Sequence, residues 1–481
     1  MSSAYTYPWR GSRCRGFATL RPPVRLRLWW MIAAVSALAA PHAAHAQRAT
    51  VASLATAGRD SRGADSGALD SLIAHALSHS PSIRAAQARL DAARSRVAPA
   101  GLRPDPMLMI GVQNLPVSDP GFDDEMTMKM LGIGQTIPYP GKLALSRRIA
   151  ERGVEAAEAA LEITRSTIVR ETRSAYYELA FLDLALEIAH RNRDVLIGLI
   201  EVTEARYGAG TGGQQDVLKA RVESGRLAET AVGLSERRRA TLSRLNAVLD
   251  RPSDSPIAGP VIPRRVARAA VADSASEVRF ASPDFGARAA DSPIPPLEQL
   301  QTMALRQSPM LREAEAMIAV QAARAELASR AALPDFDVSL QYGQRTGYPD
   351  MVTATVSIPL PLQKRRKQDA QLAEMTAELR AAEAEHYAHQ NDVRAEVARL
   401  HSELERDRAQ LALYVKSIIP QGRASLASAM STFQVARLEF LTVLDNQATL
   451  FNYEMEYVRL LSDFATTLAE LEQVVGQEVI P

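Results

Sequence analysis

Two histidine pairs are the first candidates for chemistry in this sequence. His75 and His79 are about one helical turn apart, as are His386 and His389, so each pair would share a helix face and could bind a metal ion. No third ligand accompanies either pair in the sequence. We therefore expect no metal site at these histidines.

Sequence signatures of catalysis are also missing. Serine, histidine and aspartate are present, but there is no nucleophile elbow, no glycine loop that would cradle a phosphate and no HExxH motif. We therefore predict that the protein is not an enzyme and that it has no cofactor.

A group of methionines offers other candidate ligands, since thioethers suit soft ions such as Cu(I). They are Met107, Met109, Met126, Met128 and Met130. The last three alternate with Thr127 and Lys129, and such alternation is typical of a strand with one apolar face. We therefore predict that these methionines are structural and that those of the second strand face lipid.

Long helices must position these residues. From Lys142 to Arg251 the sequence has no proline and is split once, by glycines between Tyr207 and Gly213. A second such segment runs from Lys364 to Gln477, with its turn at 433–439 and Pro420 as its one break. These patterns predict two long helical hairpins, with a kink or a local restart at the proline.

Helix lengths support one continuous architecture. The first long helix, 143–206, would span about 96 Å at 1.5 Å per residue. The return helix, 216–249, is shorter, but a helix at 83–98 precedes the first strand. Stacked end to end, these two shorter helices would approach the length of the long one.

Four segments bounded by proline or glycine interrupt the helical pattern. They lie at about 107–114, 125–137, 336–344 and 351–358. Three of them alternate apolar with polar residues, which predicts strands with one apolar face, and their lengths suit tilted strands that cross a membrane. Four strands cannot close a membrane barrel, so other copies of the chain would have to complete it. The alternative is a pair of soluble hairpins lying on a helical core.

The sequence contains a tandem duplication of one unit of about 180 residues, far longer than a solenoid repeat. Leu69, Leu72, Ala76, Leu77, Ser80 and Pro81 match Leu297, Leu300, Ala304, Leu305, Ser308 and Pro309. The predicted organisation is a signal peptide at 1–46, a polar lead at 47–67, a first repeat at 68–250, a linker at 251–295, a second repeat at 296–475 and a tail at 476–481.

The amino terminus has the order of a secretory signal. Arg21, Arg25 and Arg27 precede an apolar run, which ends before Ala44-His-Ala. Cleavage after Ala46 would remove six arginines, leaving 50 basic against 55 acidic residues, and it would remove Cys14. A nucleic-acid partner, a disulfide and a cysteine lipid anchor are therefore not expected.

The sequence resembles the TolC-like outer-membrane efflux family over about 69–475. The stretches that carry the resemblance are 135–145 after the second strand, 207–220 at the first tip and 440–447 at the second. The resemblance implies a mainly α-helical fold with a transmembrane β-barrel. Tandem-duplicated hairpins would form an α-barrel across the periplasm, and four strands per chain would complete a 12-stranded barrel in a homotrimer.

The resemblance also implies roles for residues at the hairpin tips. Asp445 would form a carboxylate ring at the pore gate, and Thr442 takes a position that is acidic in drug-efflux members. Asp216 would tie the tips together in the closed state, with Phe433 or Arg437 as its partner. The expected docking sites for adaptor hairpins are Ala209, Gly210, Val435 and Ala436.

The function implied is passive export in the outer membrane, with a periplasmic membrane-fusion adaptor and an inner-membrane RND pump as partners. The proline-rich segment 137–142 and the single acidic ring favour the metal-efflux branch, so metal cations are the expected cargo. Drug efflux and type I secretion stay open as alternatives. A soluble periplasmic coiled-coil adaptor is the alternative of a different class, since long Ala/Glu/Arg helices are typical of such proteins as well.

Overall fold

The computed structural model describes residues 64–117, 121–271, 293–435 and 438–480. The predicted signal peptide, nearly all of the polar lead and much of the linker lie outside these ranges, as do Ala436, Arg437 and Pro481.

Helices make up most of the described chain. The first repeat contains α1 (Ala64–His79), α2 (Pro81–Ala100), α3 (Lys142–Gly208) and α4 (Gln214–Val248), followed by the short linker helix α5 (Arg264–Ala270). The second contains α6 (Leu297–Gln307), α7 (Pro309–Ser329), α8 (Lys364–Leu413), α9 (Ile419–Gln434) and α10 (Phe440–Val475). None of these helices combines the length and the apolar character that crossing a bilayer requires.

The predicted tandem hairpins are confirmed. The long helix α3, with 67 residues, spans about 100 Å and packs against α4 and α2. Both repeats break their first helix at the same place, since Ser80 and Ser308 each precede a proline at the first position of the next helix. Proline is tolerated there because its missing N–H would have no partner within the helix.

Pro420 lies beside a local widening of the helix. The turn from Tyr414 to Ile418 is π-helical, and α9 then begins at Ile419 with Pro420 in its first turn. Proline has no N–H to donate to the preceding turn of an α-helix, and a π-turn changes the hydrogen-bonding pattern of that turn. The expected irregularity is therefore present, as a π-turn between α8 and α9.

Both repeats contribute two strands to one antiparallel sheet of order β1-β2-β3-β4. The strands are β1 (Met107–Gln113), β2 (Met128–Ile137), β3 (Phe336–Gln344) and β4 (Met351–Ser357). The second strand begins three residues later than the predicted 125. A turn occupies that position, because the Met126 N–H donates to Asp124 Oδ1 at 2.8 Å and the Thr127 N–H donates to the Asp124 carbonyl at 3.1 Å.

The strand register defines two faces of the sheet. One face is apolar and consists mainly of Leu108, Ile110, Val112, Leu131, Ile133, Val338, Leu340, Tyr342, Val352, Ala354 and Val356. Its exposure argues against soluble hairpins lying on the helical core, since Ile110 is 76% exposed and Val352 is 69% exposed. The opposite face, the polar face, carries Met107, Met109, Met128, Met130, Ser339, Gln341, Met351, Thr353 and Thr355.

Met128 and Met130 lie on the face opposite the apolar one, so the prediction that they belong to an apolar, lipid-facing side of the second strand is wrong. Met128 and Met130 share their side of β2 with Gly132 and Gly134, whereas Leu131 and Ile133 lie on the side of Lys129. The alternation of methionine with threonine and lysine at 126–130 was misleading, because that short stretch ends before the glycines and the aliphatic residues appear.

The proline-rich segment after β2, residues 137–142, joins the two repeats. Asp335, just before β3, accepts hydrogen bonds from the Tyr139 N–H at 2.7 Å and from Lys142 Nζ at 2.9 Å. Lys142 also donates to the Leu333 carbonyl at 2.7 Å. Burial would raise the pKa of Asp335, but these donors outweigh it and lower the pKa. The first long helix therefore starts from a point fixed to the second repeat.

The main hydrophobic core draws on both repeats and on the linker. It includes the middle of α3, the carboxyl-terminal parts of α8 and α10, the linker helix and the tail residues Val479 and Ile480. A second cluster lies nearer the hairpin tips, where Leu196 and Leu199 of α3 pack with Phe433 and Phe440. Apolar burial therefore holds the two hairpins together both in the main core and near the tips.

Candidate functional site at the hairpin tips

Glycines allow the turn at the first tip. Gly210 has φ of +72°, and the Thr211 N–H donates to the Arg206 carbonyl at 2.9 Å, which closes the end of α3. A Cβ at Gly212 would lie 3.2 Å from Cβ of Arg206, so the chain passes close to the helix end. Ala209 and Gly210 are exposed on the outside of this turn.

The second tip lies between α9 and α10. Val435 follows the end of α9 and is 63% exposed. Ala436 and Arg437 fall outside the described residues, so their predicted roles stay predictions. The three predicted docking residues that are described, Ala209, Gly210 and Val435, are therefore all exposed at the two turns.

Phe433 connects the two tips through Arg206. The Arg206 guanidinium carbon lies 4.4 Å from the centroid of the Phe433 ring, and Arg206 Nη1 donates to the Phe433 carbonyl at 3.2 Å. Phe433 is buried and also packs on Phe440, with ring centroids 5.8 Å apart. The guanidinium therefore makes a cation–π contact and a hydrogen bond to the same residue of the other hairpin.

Asp216 has no contact with Phe433, and its other predicted partner, Arg437, lies outside the described residues, so its role at the tips stays a prediction. It lies in the first turn of α4, and within the described ranges its carboxylate forms no hydrogen bond and no ion pair. Phe433 has Arg206, not Asp216, as its polar neighbour. A carboxylate in a first helical turn interacts favourably with the helix dipole, and this interaction is worth about 0.3–1 kcal/mol.

Asp445 and Thr442 lie on the exposed side of the first turns of α10. Val443 and Leu444 between them are buried in the tip cluster. The Thr442 carbonyl accepts a hydrogen bond from Asn446 Nδ2 at 2.8 Å, as an ordinary side chain to backbone contact within the helix. The Asp445 side chain is thus available to a surface outside this chain.

A buried polar layer lies further along the same helix, and the sequence reasoning missed it. Glu454 is 7% exposed and accepts hydrogen bonds from Arg191 of α3 at 2.7 Å and from Arg423 of α9 at 2.8 Å. Gln447, one heptad earlier, donates to Asn192 of α3. These contacts join three helices from both hairpins.

A signal for this layer was present in the sequence. Phe440, Gln447, Glu454, Leu461, Leu468 and Val475 recur every seven residues, and all of them are buried. Two polar residues in an otherwise apolar heptad position predict a buried polar contact between helices.

The histidine pairs do not assemble a metal site in the part of the chain that is described. The rings of His75 and His79 stack with centroids 4.2 Å apart, and His75 Nε2 lies 3.1 Å from the Leu249 carbonyl oxygen. His386 lies 3.7 Å from Glu315, and His389 lies 3.9 Å from Asp392. The described ranges contain no group of three or more His, Cys, Asp or Glu side chains that could hold a metal ion.

Sequence comparison identifies relatives of both repeats. The family model described as outer membrane efflux protein matches residues 72–249 and 300–477. The cobalt-zinc-cadmium resistance protein CzcC of Cupriavidus metallidurans is 25% identical over 406 residues, which cover 82% of this chain and 86% of that protein.

Structural comparison finds the same fold in outer-membrane proteins. VceC of Vibrio cholerae superposes with a TM-score of 0.68 and 21% identity, over 85% of this chain and 96% of that one. The outer-membrane channel OprN superposes with a TM-score of 0.67 and 19% identity, over 86% and 91%. Since the family model covers most of both repeats, the chain belongs to the outer membrane efflux protein family and is an outer-membrane protein that extends into the periplasm.

Proposed function

We propose that the chain is the outer-membrane duct of a tripartite efflux pump and that it works passively as a homotrimer. The sheet carries the proposal. Its four strands present one continuous apolar face, and the edge strands β1 and β4 each pair on one side only among the described residues. Open edges in hydrocarbon cost several kcal/mol for each unpaired group, so other copies must cover them. Three copies would close a 12-stranded barrel.

The exposed side of α10 supports a gate at the periplasmic end. In a trimer around a common axis, three Asp445 carboxylates would form a ring that attracts cations and repels anions. Thr442, one turn earlier, adds no charge, so the ring is single. Exposure of both side chains within one chain fits a surface that faces the pore.

The tips also support docking of a periplasmic adaptor that connects the duct to an inner-membrane RND pump. Ala209, Gly210 and Val435 are exposed and lack large polar side chains. Helix tips of another protein could approach such residues closely. The soluble-adaptor alternative fits less well, because the two repeats build one sheet with an exposed apolar face.

Metal cations are the proposed cargo. The name of the relative CzcC states resistance to cobalt, zinc and cadmium, and its match extends over most of both proteins. A single carboxylate ring at the gate suits positively charged cargo. Drug efflux and protein secretion are the competing outcomes of the test.

Growth of a deletion strain tests the cargo. We expect hypersensitivity to metal salts of zinc, cobalt or cadmium, with ordinary growth on dyes, bile salts and antibiotics, and rescue by the intact protein.

Asp445→Asn should rescue only partly, because it removes three charges from the ring. Asp463→Asn is the matched control, since Asp463 is an exposed acid on the same helix that pairs with Arg459. Sensitivity to organic compounds alone would assign the duct to drug efflux. Growth of the deletion strain equal to that of the parent strain on every compound would contradict both forms of efflux.

Single-channel conductance tests the closed gate. Arg206→Ala should raise the leak of the protein in planar bilayers several-fold, because it removes both the ring contact and the hydrogen bond between the tips. Asp216→Ala is the comparison variant, and it should alter the leak less because its carboxylate has no described partner on the other hairpin. A larger effect of Asp216→Ala would restore that residue as the main connection between the tips.

A further inference from the structure

The polar face of the sheet holds a group of thioethers that the proposed gate does not use. Met130 of β2 and Met351 of β4 are both adjacent to Gly343 of β3, one on each side, on the same face. Met128 lies two positions before Met130 on that face. The group therefore spans three neighbouring strands, although the residues come from both repeats.

The missing side chain at Gly343 brings two of the sulfurs together. A Cβ at this position would lie 2.8 Å from Sδ of Met128 and 3.1 Å from Sδ of Met130. Both thioethers therefore occupy the space above the glycine. Met351 pairs with Gly343 from the other side, and its backbone is two strands, about 10 Å, from that of Met130. Glycine at this position leaves room for the sulfurs of Met128 and Met130, with Met351 beside it on the next strand.

The chemistry of these side chains selects the ligand. Thioethers are neutral, polarisable donors that suit soft cations such as Cu(I), whereas carboxylates and water suit harder cations. Met128 and Met130 are half-buried and Met351 is 45% exposed, so the sulfurs are open to one side of the sheet. Packing against lipid does not explain them, because the apolar face is on the other side.

We propose that Met128, Met130 and Met351 form a thioether site for a soft monovalent cation, Cu(I) or Ag(I), on the polar face of the sheet. In a closed barrel this face would line the pore, because the apolar face would contact lipid. The position in the pore rests on the proposed function, whereas binding itself requires only the folded chain. The site would give a soft cation a weak resting point at the outer-membrane end of the duct.

Binding of Ag(I) to the purified protein in detergent, without the predicted signal peptide and its Cys14 thiol, tests the site. Bound silver is measured by equilibrium dialysis and elemental analysis. We expect about one silver ion per chain at saturation for this site, and a loss of affinity of at least tenfold in the variant Met128→Leu/Met130→Leu/Met351→Leu. Leucine preserves the apolar volume and removes the sulfur, so the sheet should remain folded.

The matched control is Met310→Leu/Met317→Leu on α7, since both of these methionines are partly exposed and lie away from the sheet. It should bind silver as the unaltered protein does. Circular dichroism confirms that the triple variant is folded. Equal affinity of the folded triple variant and the unaltered protein would overturn the proposal, as would an equal loss in the control. The strain test is separate: silver binding without any metal sensitivity would contradict the proposed cargo and leave this site standing.

Discussion

Gly476→Ala is expected to lower the free energy of unfolding by about 3 kcal/mol. Gly476 follows the end of α10 with φ of +83°, a conformation that costs an L-residue about 1–2 kcal/mol. A Cβ there would lie 3.0 Å from the carbonyl carbon of Gln307 and closer still to its oxygen. Overpacking of this kind adds about 1–3 kcal/mol. The neighbour is backbone at the corner between α6 and α7, so it cannot rotate away.

Thermal unfolding in detergent, followed by circular dichroism, measures this effect. Gly225→Ala is the matched control, because Gly225 lies inside α4 and a Cβ there would meet no atom within 4 Å. That change should stabilise the helix by up to about 1 kcal/mol. Equal melting temperatures for Gly476→Ala and the unaltered protein would show that the corner between α6 and α7 yields easily.

The contrast between these glycines shows what the sequence alone could predict. The glycines at the first tip interrupt a long helical pattern, so they predict a turn without knowledge of the fold. Gly476 also ends a helical pattern, but the atom that makes it irreplaceable belongs to Gln307, which is remote in sequence. Contacts between the repeats depend on how the hairpins pack, and a local pattern does not record that packing.

The sheet and the gate show the same limit. The existence of the strands follows from local alternation and the duplication from matching residues in the two repeats, and both are seen in the structure. The face of the β2 methionines required the register against β3, which local alternation at 126–130 misrepresented. The resemblance predicts a role for Asp216 at the tips, and that role stays a prediction. The described contact between the tips uses Arg206, which the sequence does not distinguish from other cations on a long helix.

A second large effect is expected where α3, α5, α10 and the tail meet. Arg173 forms ion pairs with Glu472 and, at 2.8 Å, with Glu478, which also pairs with Arg265 of α5 at 3.0 Å. The side chains of Arg173 and Glu472 are only 11% and 9% exposed. Glu472 also accepts a hydrogen bond from the Val479 N–H at 3.2 Å. The network therefore fixes the carboxyl terminus and the linker helix to the long helix.

Burial and the neighbouring arginines shift the pKa values of the groups in this network. It raises the pKa of the Glu472 carboxyl, although the nearby Arg173 opposes the shift. The hydrogen bond from Arg265 lowers the pKa of Glu478, and burial raises the pKa of Tyr177 beside them to about 12. Glu472 is thus the carboxyl of this network whose charged form burial disfavours, with Arg173 opposing that effect.

Arg173→Met should destabilise the protein by about 3–5 kcal/mol at neutral pH, because it leaves the Glu472 carboxylate buried without its cation. The loss should shrink as the pH falls. Without Arg173 the folded-state pKa of Glu472 moves further above the ordinary value of 4.5, so the folded state holds more protons than the unfolded state between those two pKa values. Stability then decreases as pH rises from 4.5 through the folded-state pKa. Thermal unfolding at pH 5 and pH 8 in detergent measures this difference.

Two further variants separate the buried charge from the lost packing. Arg152→Met removes the cation from an exposed pair with Glu155, and it should change stability by less than about 1 kcal/mol. Arg173→Met/Glu472→Leu removes both buried charges, and it should recover much of the loss and its pH dependence, because a buried ion pair can be replaced by apolar residues at little cost. If the double variant stays as unstable as Arg173→Met at both pH values, the lost contacts to Glu478 and the tail, and not the buried carboxylate, hold this end of the molecule together.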